Sequence, residues 1–284
     1  MTVEWMCWLA RVSRAGYYRA WQAAEPDSEE MELRDHIQRI ALANRFYGYR
    51  RVARQLKDEG RLVNRKRVAR LMRLDNLLAV RRKAFRPPTT DSKHGLHIHL
   101  NLAARMKVTG PNQLWIADIT YIRLKGEFVF LAVVLDAWSR KVIGWNLSRS
   151  LQSEMALKAL CQALEARKPA AGLVHHSDRG IQYATEDYYK ALKKHGVVPS
   201  MSRARNPWDN ATCESFMKTL KAEEVNGKAY RNMEELQAQI GPFLNEYYNK
   251  RRLHSSLGYS TPEKFEELNS SAAPLAAVLE FYKA

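Results

Sequence analysis

Three acidic residues could form one site, and two of them occupy apolar strands where an unpaired carboxylate is unfavourable. Asp118 occurs inside the apolar stretch WIADITYI, with no local cation, and Asp178 ends a second apolar stretch in VHHSD. Glu214 belongs to the helical pattern ATCESFMKTL. A carboxylate in an apolar strand is destabilising unless a cation neutralises it. If the three side chains converge, their oxygens form the hard ligand set that Mg²⁺ prefers.

The chemistry that such a site would perform is phosphoryl transfer. Two divalent ions about 4 Å apart activate a nucleophile and stabilise the leaving oxygen of an in-line displacement. We therefore expect two Mg²⁺ ions, for which Mn²⁺ can substitute. Glu214, Lys218 and Lys221 have the spacing of one helix face, so the two lysines can hold phosphates beside the metals. The alternative is an ordinary Glu–Lys pair on a surface helix.

The neighbouring histidines do not indicate a zinc site. His176 shares a strand face with Asp178, whereas His175 points to the opposite face, so the two cannot easily bind one ion. We expect His176 to lie beside the acids or to contact DNA without binding metal. Asn210 is predicted to cap the Glu214 helix next to the acids. Serine-hydrolase chemistry is not indicated, because Ser177 points away from Asp178 and the chain contains no G-x-S-x-G elbow.

Charge points to a polyanionic partner. The 284-residue chain has a net charge of +16. Fifteen of its lysines and arginines lie between Arg45 and Arg86 with only three acids, a local net charge of +12. Such concentration favours nucleic acid over a merely solvated surface. Three scattered cysteines, and no apolar run long enough to cross a bilayer, predict a cytoplasmic, nucleoid-associated protein without a membrane partner.

Residues 47–77 have the pattern of two short helices joined at Gly60. Asn64 can cap the second helix. The buried positions are predicted to be Val52, Ala53 and Leu56 in the first helix and Val68, Leu71 and Met72 in the second. Basic residues remain for the outer side of the second helix: Arg65, Lys66, Arg70 and Arg73. This arrangement favours a DNA-binding helix-turn-helix, with an ordinary helical hairpin as the alternative.

Two further segments are predicted to contact DNA. The stretch RRKAFRPPTTDSKHG (81–95) is basic and interrupted by proline, so it is typical of an arm that tracks phosphates, with Arg81, Arg82 and Lys83 at its start. The loop RARNPWDN contributes Arg203 and Arg205. His94, His97 and His99 lack accompanying cysteines or acids, and we interpret them as surface residues.

After Pro111 the pattern changes to an α/β protein. Strands are predicted over 113–124, 128–139, 140–148, 172–178 and 196–202, and helices over 153–166, 185–194 and 211–222. Three consecutive strands followed by helix–strand alternation indicate a mixed five-stranded sheet flanked by helices. Asp136, at the end of the second strand, is interpreted as a structural turn residue.

Four stretches carry a resemblance to a known family. WIADITYI, HSDRGIQY, NPWDNATCESFMKTLK and YNKRRLHSSLGYSTP, in that order, resemble the insertion-sequence-three (IS3) family of bacterial transposases, in the OrfB-type chain. VSRAGYY and YGYRRV are similar to its N-terminal portion. The resemblance implies an RNase H-like, retroviral-integrase-type core with an Asp-Asp-Glu triad. That family has 35 residues between its last two acids, as does this chain between Asp178 and Glu214.

The resemblance implies that Asp118, Asp178 and Glu214 are the metal-binding catalytic acids of a DNA transposase. The enzyme would cleave and join strands at insertion-sequence ends, acting on double-stranded DNA at terminal inverted repeats and target sites. A homodimer or higher oligomer on DNA is expected. The alternatives are a catalytically silent DNA-binding regulator derived from a transposase, and a plain RNase H-type nuclease.

The expected organisation has five parts. They are an N-terminal helical segment (1–26), the helix-turn-helix domain (31–80), a basic linker (81–111), the catalytic core (112–268) and a tail (269–284). Within the core, residues 245–265 are dense in polar and aromatic side chains. The sequence leaves open whether this segment packs on the core or contacts DNA.

Overall fold

The computed structural model describes residues 2–21, 28–77, 79, 98–203, 210–226 and 228–269. The chain forms two compact units, Met1–Val80 and Arg81–Ala284. Several predicted features lie outside the described residues: the DNA contacts Arg81, Arg82, Lys83 and Arg205, the histidines at 94 and 97, and the tail after residue 269.

The first unit is helical. Its elements are α1 (Val3–Leu9), α2 (Arg14–Trp21), α3 (Ser28–Ala43), α4 (Tyr49–Asp58) and α5 (Arg65–Leu74). The predicted α4–α5 pair and all six of its predicted buried residues are confirmed. Gly60 has a φ of 85°, which a residue with a side chain rarely adopts, and this lets the chain turn after α4. Asn64 caps α5 by accepting a hydrogen bond from the Lys66 amide at 2.8 Å.

Helix α3 holds the α4–α5 pair together. Its buried face includes Leu33, Ile37 and Ile40. Arg34 pairs with Asp75 just after α5, and His36 contacts Glu59 just after α4. Both contacts lie at helix ends, so α3 fixes the positions at which α4 and α5 terminate.

The second unit is built on the predicted mixed sheet. Its strands are β1 (Leu114–Arg123), β2 (Phe128–Asp136), β3 (Val142–Ser148), β4 (Val174–Ser177) and β5 (Val198–Met201). They lie in the order β3-β2-β1-β4-β5, with β1, β2 and β3 antiparallel and β4 and β5 parallel to β1. The five predicted strands are thereby confirmed, although most end earlier than predicted.

Strand β2 ends at Asp136 because this buried residue begins a turn. Its carboxylate accepts hydrogen bonds from the backbone amides of Asn112 (2.7 Å), Trp138 (2.9 Å) and Ser139 (3.2 Å). The structure therefore supports the interpretation of Asp136 as a turn residue.

Helices cover both faces of the sheet. On one face lie α6 (Ser153–Arg167) and α7 (Glu186–Lys194), and on the other lie α8 (Ala211–Leu220) and α9 (Met233–Pro242). Gly144 of β3 allows α6 to approach closely, because a side chain there would collide with the Ala159 carbonyl. Helix α8 continues as a π-helical turn, Lys221–Val225, and α9 continues as a second π-helical segment, Phe243–Arg251.

The segment 245–265 packs on the core, which is one of the two roles that the sequence left open. Asn249 is buried, and its amide pairs with both the N–H and the C=O of Val142 at 2.9 Å. Because β3 is an edge strand, this side chain occupies backbone groups that no further strand satisfies. The last helix within the described residues, α10 (Pro262–Asn269), follows. Among the helices of the described ranges, none is long and apolar enough to cross a membrane.

Candidate active site

The central strands bring Asp118 and Asp178 to the same level of the sheet. Strands β1 and β4 are parallel neighbours, with Ile116 paired to His176. Continuing this register by two residues places Asp118 level with Asp178, which directly follows β4. A pairing between residues 60 positions apart therefore brings the two aspartates to neighbouring strands of the sheet.

A tight turn shapes the surroundings of Asp178. The Gly180 amide donates a hydrogen bond to the Asp178 carboxylate at 2.9 Å. A side chain at position 180 would meet the same carboxylate oxygen at 3.0 Å, so glycine lets the turn close over the acid. Arg179 is directed toward β5, where its Nε donates to the Ser202 carbonyl at 2.8 Å.

Helix α8 brings Glu214 to these acids. The helix packs through buried Cys213, Phe216 and Leu220, and the Cys213 thiol lies 3.6 Å from the Ile116 carbonyl of β1. Glu214 itself is partly exposed. Over the described residues Glu214 and Lys218 form no ion pair, so the alternative of an ordinary surface Glu–Lys pair is wrong.

The three acids share one electrostatic environment. Burial raises the pKa of Asp118 to about 8, and the negative charges of Asp178 and Glu214 contribute to the increase. The Ile119 amide, which donates to the Asp118 carboxylate at 2.8 Å, and the Lys221 ammonium act in the opposite direction. Asp118 therefore gives up its proton much less readily than an ordinary aspartate, and a bound cation would favour its ionised form.

Lys221 lies at the edge of this acidic cluster. Its ammonium lies 4.4 Å from the centre of the Tyr121 ring on β1, a distance typical of a cation–π contact. Lys218, one helical turn earlier, is exposed. The shared helix face of Glu214, Lys218 and Lys221 stays a prediction from their spacing.

The donor chemistry of the site suits a divalent cation. Carboxylate oxygens are the ligands that Mg²⁺ or Mn²⁺ uses, and a cation would offset the repulsion that Asp178 and Glu214 exert on Asp118. Within the described ranges, however, no three His, Cys, Asp or Glu side chains are already grouped so that they could hold a metal ion. The acids are coupled through their charges, and a cation would have to draw them closer together.

His176 and Asn210 require corrections. His176 is fully buried, so the suggestion that it contacts DNA is wrong; its ring nitrogens lie 2.8 Å from the Ser200 hydroxyl and 2.9 Å from the Ser202 hydroxyl. Asn210 stands at the N-cap position of α8 but forms no side-chain cap. Its Oδ1 is buried without a hydrogen-bond partner among the described residues. The sequence could not foresee this, because capping depends on backbone angles and Asn210 has a φ of −120° and a ψ of 28°.

Sequence reasoning missed two side chains around the acids. Tyr183 lies in the quoted stretch HSDRGIQY, but nothing in its spacing distinguishes it from an ordinary core residue. Arg140 donates from Nη1 to the Thr212 hydroxyl at 2.7 Å, across 72 residues of sequence. This contact joins the β2–β3 turn to the first turn of α8.

The predicted DNA contacts of the first unit are mostly accessible. Arg65, Lys66 and Arg73 are exposed on α5. Arg70 differs because its guanidinium pairs with Glu30 of α3 at 2.9 Å. In the second unit Arg203 is exposed next to β5.

Comparisons with known proteins match this architecture. A family model described as an HTH-like domain matches residues 28–85, and two models described as integrase core domains match residues 108–207 and 195–262. The chain is 36% identical over 274 residues to the transposase InsF for insertion sequence IS3A of Escherichia coli (strain K12), which covers 94% of this chain and 95% of that protein.

A second relative has a similar extent. The insertion element IS600 uncharacterized 31 kDa protein of Shigella sonnei is 36% identical over 268 residues, covering 92% of this chain and 97% of that protein. Among solved structures, a chain of the simian T-cell lymphotropic virus intasome in complex with PP2A regulatory subunit B56 gamma aligns with a TM-score of 0.48 at 17% identity. That alignment covers 66% of this chain and 62% of the viral one.

Proposed function

We propose that this chain, which belongs to the insertion-sequence-three (IS3) family of transposases, cleaves and joins DNA strands at insertion-sequence ends. The observation that carries the proposal is electrostatic: the charges of Asp178 and Glu214 both raise the pKa of Asp118. Asp118 belongs to β1, Asp178 follows the neighbouring strand β4, and Glu214 belongs to α8. Family membership supports phosphoryl transfer on DNA, and the electrostatic coupling of the acids is consistent with a metal-dependent form of it.

In this proposal the three acids hold two divalent ions, Mg²⁺ or, as a substitute, Mn²⁺. Bound at the acids, such ions would neutralise phosphate charge and activate the attacking oxygen. The protein's own contribution is to fix the three carboxylates. Strands β1 and β4 set the level of Asp118 and Asp178, the Gly180 amide orients the Asp178 carboxylate, and the packing of Cys213 sets the position of Glu214.

The substrate is double-stranded DNA, both the terminal inverted repeats of an element and the target site. Lys221, whose charge acts on Asp118, and the exposed Lys218 on α8 would contact phosphates near the acids, as would Arg203 near β5. In the first unit, Arg65, Lys66 and Arg73 offer cations on the exposed side of α5, which suits a helix that lies against DNA. A homodimer or higher oligomer would hold two element ends together.

The reaction consists of two displacements at phosphorus. In cleavage, a water oxygen attacks the phosphodiester and the 3′ oxygen leaves as a hydroxyl. In strand transfer, that 3′-hydroxyl attacks a second phosphodiester, so one bond forms as another breaks. Cys213, next to Glu214, takes no part as a nucleophile, because burial raises the pKa of its thiol well above the usual range.

The test is the substitution Asp178→Asn in the full chain. With DNA that carries the element's own ends and Mg²⁺, we expect strand cleavage to fall by at least about 10³-fold, because one metal-holding carboxylate is lost. DNA binding, measured by fluorescence anisotropy, should stay close to wild type. Asp187→Asn, at an exposed acid in the first turn of α7, is the matched control and should cleave normally.

Two results would contradict the proposal. Cleavage that survives Asp178→Asn would show that the acids are wrongly assigned. Binding without any nicking or joining by the wild-type chain would instead identify a DNA-binding regulator.

A further inference from the structure

The Tyr183 hydroxyl is a buried polar group without a partner in the fold. Tyr183 is only 5% exposed, and its hydroxyl oxygen has no hydrogen-bond partner among the described residues. Nearly all buried hydroxyls in proteins are hydrogen-bonded, because an unpaired one loses its contacts with water and gains nothing in return. A phenylalanine would fill the same apolar space without that loss, so the hydroxyl requires an explanation.

The position of Tyr183 is tied to that of Asp178. The two residues belong to the same tight turn, in which the Gly180 amide donates to Asp178 and the Gly180 carbonyl accepts from the Tyr183 amide at 3.0 Å. The turn continues as a single 3₁₀ segment, Ile181–Tyr183. The Tyr183 ring then packs edge-to-face on Tyr188, with centroids 5.4 Å apart. Hydrogen bonds therefore hold the backbone at Tyr183, and the contact with Tyr188 holds its ring.

The charges around the hydroxyl are those of the acidic cluster. The pKa of Tyr183 is raised well above its ordinary value, first by burial and next by the charge of Asp178, with Asp118 contributing as well. Tyr183 consequently remains a neutral hydrogen-bond donor. Its hydroxyl therefore lies within electrostatic reach of the Asp178 and Asp118 carboxylates.

We propose that the Tyr183 hydroxyl is a positioning donor, which hydrogen-bonds the Asp178 carboxylate, directly or through one buried water, when the acids gather around a divalent cation. The inference rests on the proposed function, because it takes the acids to be the metal site. Donors behind a metal-bound carboxylate orient it and strengthen metal binding. A donor without a partner in the fold can serve this role without first breaking another bond.

Tyr188 provides a matched comparison within the same apolar cluster. Its ring is buried against that of Tyr183, but its hydroxyl lies 3.0 Å from Nε2 of buried His175. Burial lowers the pKa of His175 to about 3, so the imidazole is neutral and the pair is an ordinary hydrogen bond. The two tyrosines thus differ in whether the fold itself supplies the hydroxyl's partner.

The experiment compares Tyr183→Phe and Tyr188→Phe in the full chain, with thermal unfolding of the metal-free protein and MnCl₂ titration by calorimetry. For Tyr183→Phe we expect an unchanged or slightly higher Tm and a Kd for Mn²⁺ that is about tenfold weaker. For Tyr188→Phe we expect a lower Tm, because His175 Nε2 loses its partner, and an unchanged Kd for Mn²⁺ below the melting range.

The outcomes separate the inference from the proposed function. If wild type binds Mn²⁺ and Tyr183→Phe binds it equally well, the inference is overturned while the metal site stands. A Tm loss in Tyr183→Phe as large as in Tyr188→Phe would overturn it too, because the hydroxyl would then have a structural partner. If wild type and Asp178→Asn both fail to bind Mn²⁺, the proposed metal site fails and the inference with it.

Discussion

Two acidic residues on one continuous helix have opposite surroundings. Glu223, in the π-helical turn that continues α8, has a side chain that is only 6% exposed; it accepts hydrogen bonds from Arg252 Nε at 2.9 Å and Nη2 at 2.8 Å. Tyr247 adds a third donor at 3.0 Å. Glu214, nine residues earlier, is partly exposed and forms no ion pair with any described residue.

The difference shows how one helix can be anchored at one end and chemically available at the other. A carboxylate that is surrounded by fixed donors has few lone pairs left for a metal ion. Glu223 thereby fastens the end of the helix to the segment 245–265. This attachment, together with buried Phe216 and Leu220, holds α8 against the sheet while the Glu214 carboxylate remains open toward the other acids.

The largest expected effect is on catalysis and arises at Glu214, the end of the helix that is open toward the other acids. Glu214→Gln should reduce strand cleavage by at least about 10³-fold, because a metal-holding carboxylate becomes a neutral amide. Stability should change by less than about 0.5 kcal/mol, because no intramolecular ion pair is lost. A strand-cleavage assay and a urea unfolding curve measure the two quantities.

Glu165→Gln, at an exposed position of α6, is the control and should leave both quantities unchanged. A loss of several kcal/mol in Glu214→Gln would show that Glu214 also anchors the helix, and the contrast between the two ends would disappear.

The sequence predicts the Glu214 end of this helix better than the anchored Glu223 end. The apolar spacing of ATCESFMKTLK predicts α8, and the 35 residues between Asp178 and Glu214 support the assignment of the acids through the family resemblance. The mixed five-stranded sheet also follows from the run of three strands and the helix–strand alternation after it. These features are local in sequence, or they repeat a family pattern.

The anchored end depends on contacts that no local pattern encodes. Glu223 meets Arg252 across 29 residues, and Asn249 meets Val142 across 107. The identity of such partners is decided by how α9 and its π-helical continuation return to the sheet. For the same reason, the sequence could place 245–265 after the Glu214 helix without deciding whether that segment packs or binds DNA.

The second effect is on stability at the anchored end. Arg252→Met should destabilise the protein by about 3–5 kcal/mol, because it leaves the Glu223 carboxylate buried and unpaired. The double substitution Glu223→Gln with Arg252→Met should recover part of that loss, because no uncompensated charge remains. Urea unfolding of the four members of this cycle measures the coupling between the two residues.

Additive losses in that cycle would contradict the anchoring role, because they would show that the two side chains do not depend on each other. Cleavage by the double variant, measured well below its unfolding transition, should stay within about tenfold of wild type, in contrast to Glu214→Gln.

The smallest effect concerns the attachment at the start of α8. Arg140 has a φ of 64°, which is uncommon for a residue with a side chain, and its amide donates to the Asp136 carbonyl at 2.9 Å. From this turn, its guanidinium reaches the Thr212 hydroxyl, two residues before Glu214. The buried Asp136 turn therefore braces the first turn of the helix that carries the open acid.

Thr212→Val keeps the shape of the side chain and removes the acceptor, so it should cost about 1 kcal/mol and lower cleavage several-fold by loosening the position of Glu214. Arg140→Met should have a similar effect, and the double substitution should add little to either one, because both remove the same hydrogen bond.

Thr219→Val would serve poorly as a control, since that hydroxyl approaches Arg252. Ser215→Ala, at an exposed position of α8 whose side chain forms no hydrogen bond among the described residues, is a better one. If the two single losses add in the double variant, Arg140 and Thr212 act separately, and the start of α8 is positioned by its apolar packing alone.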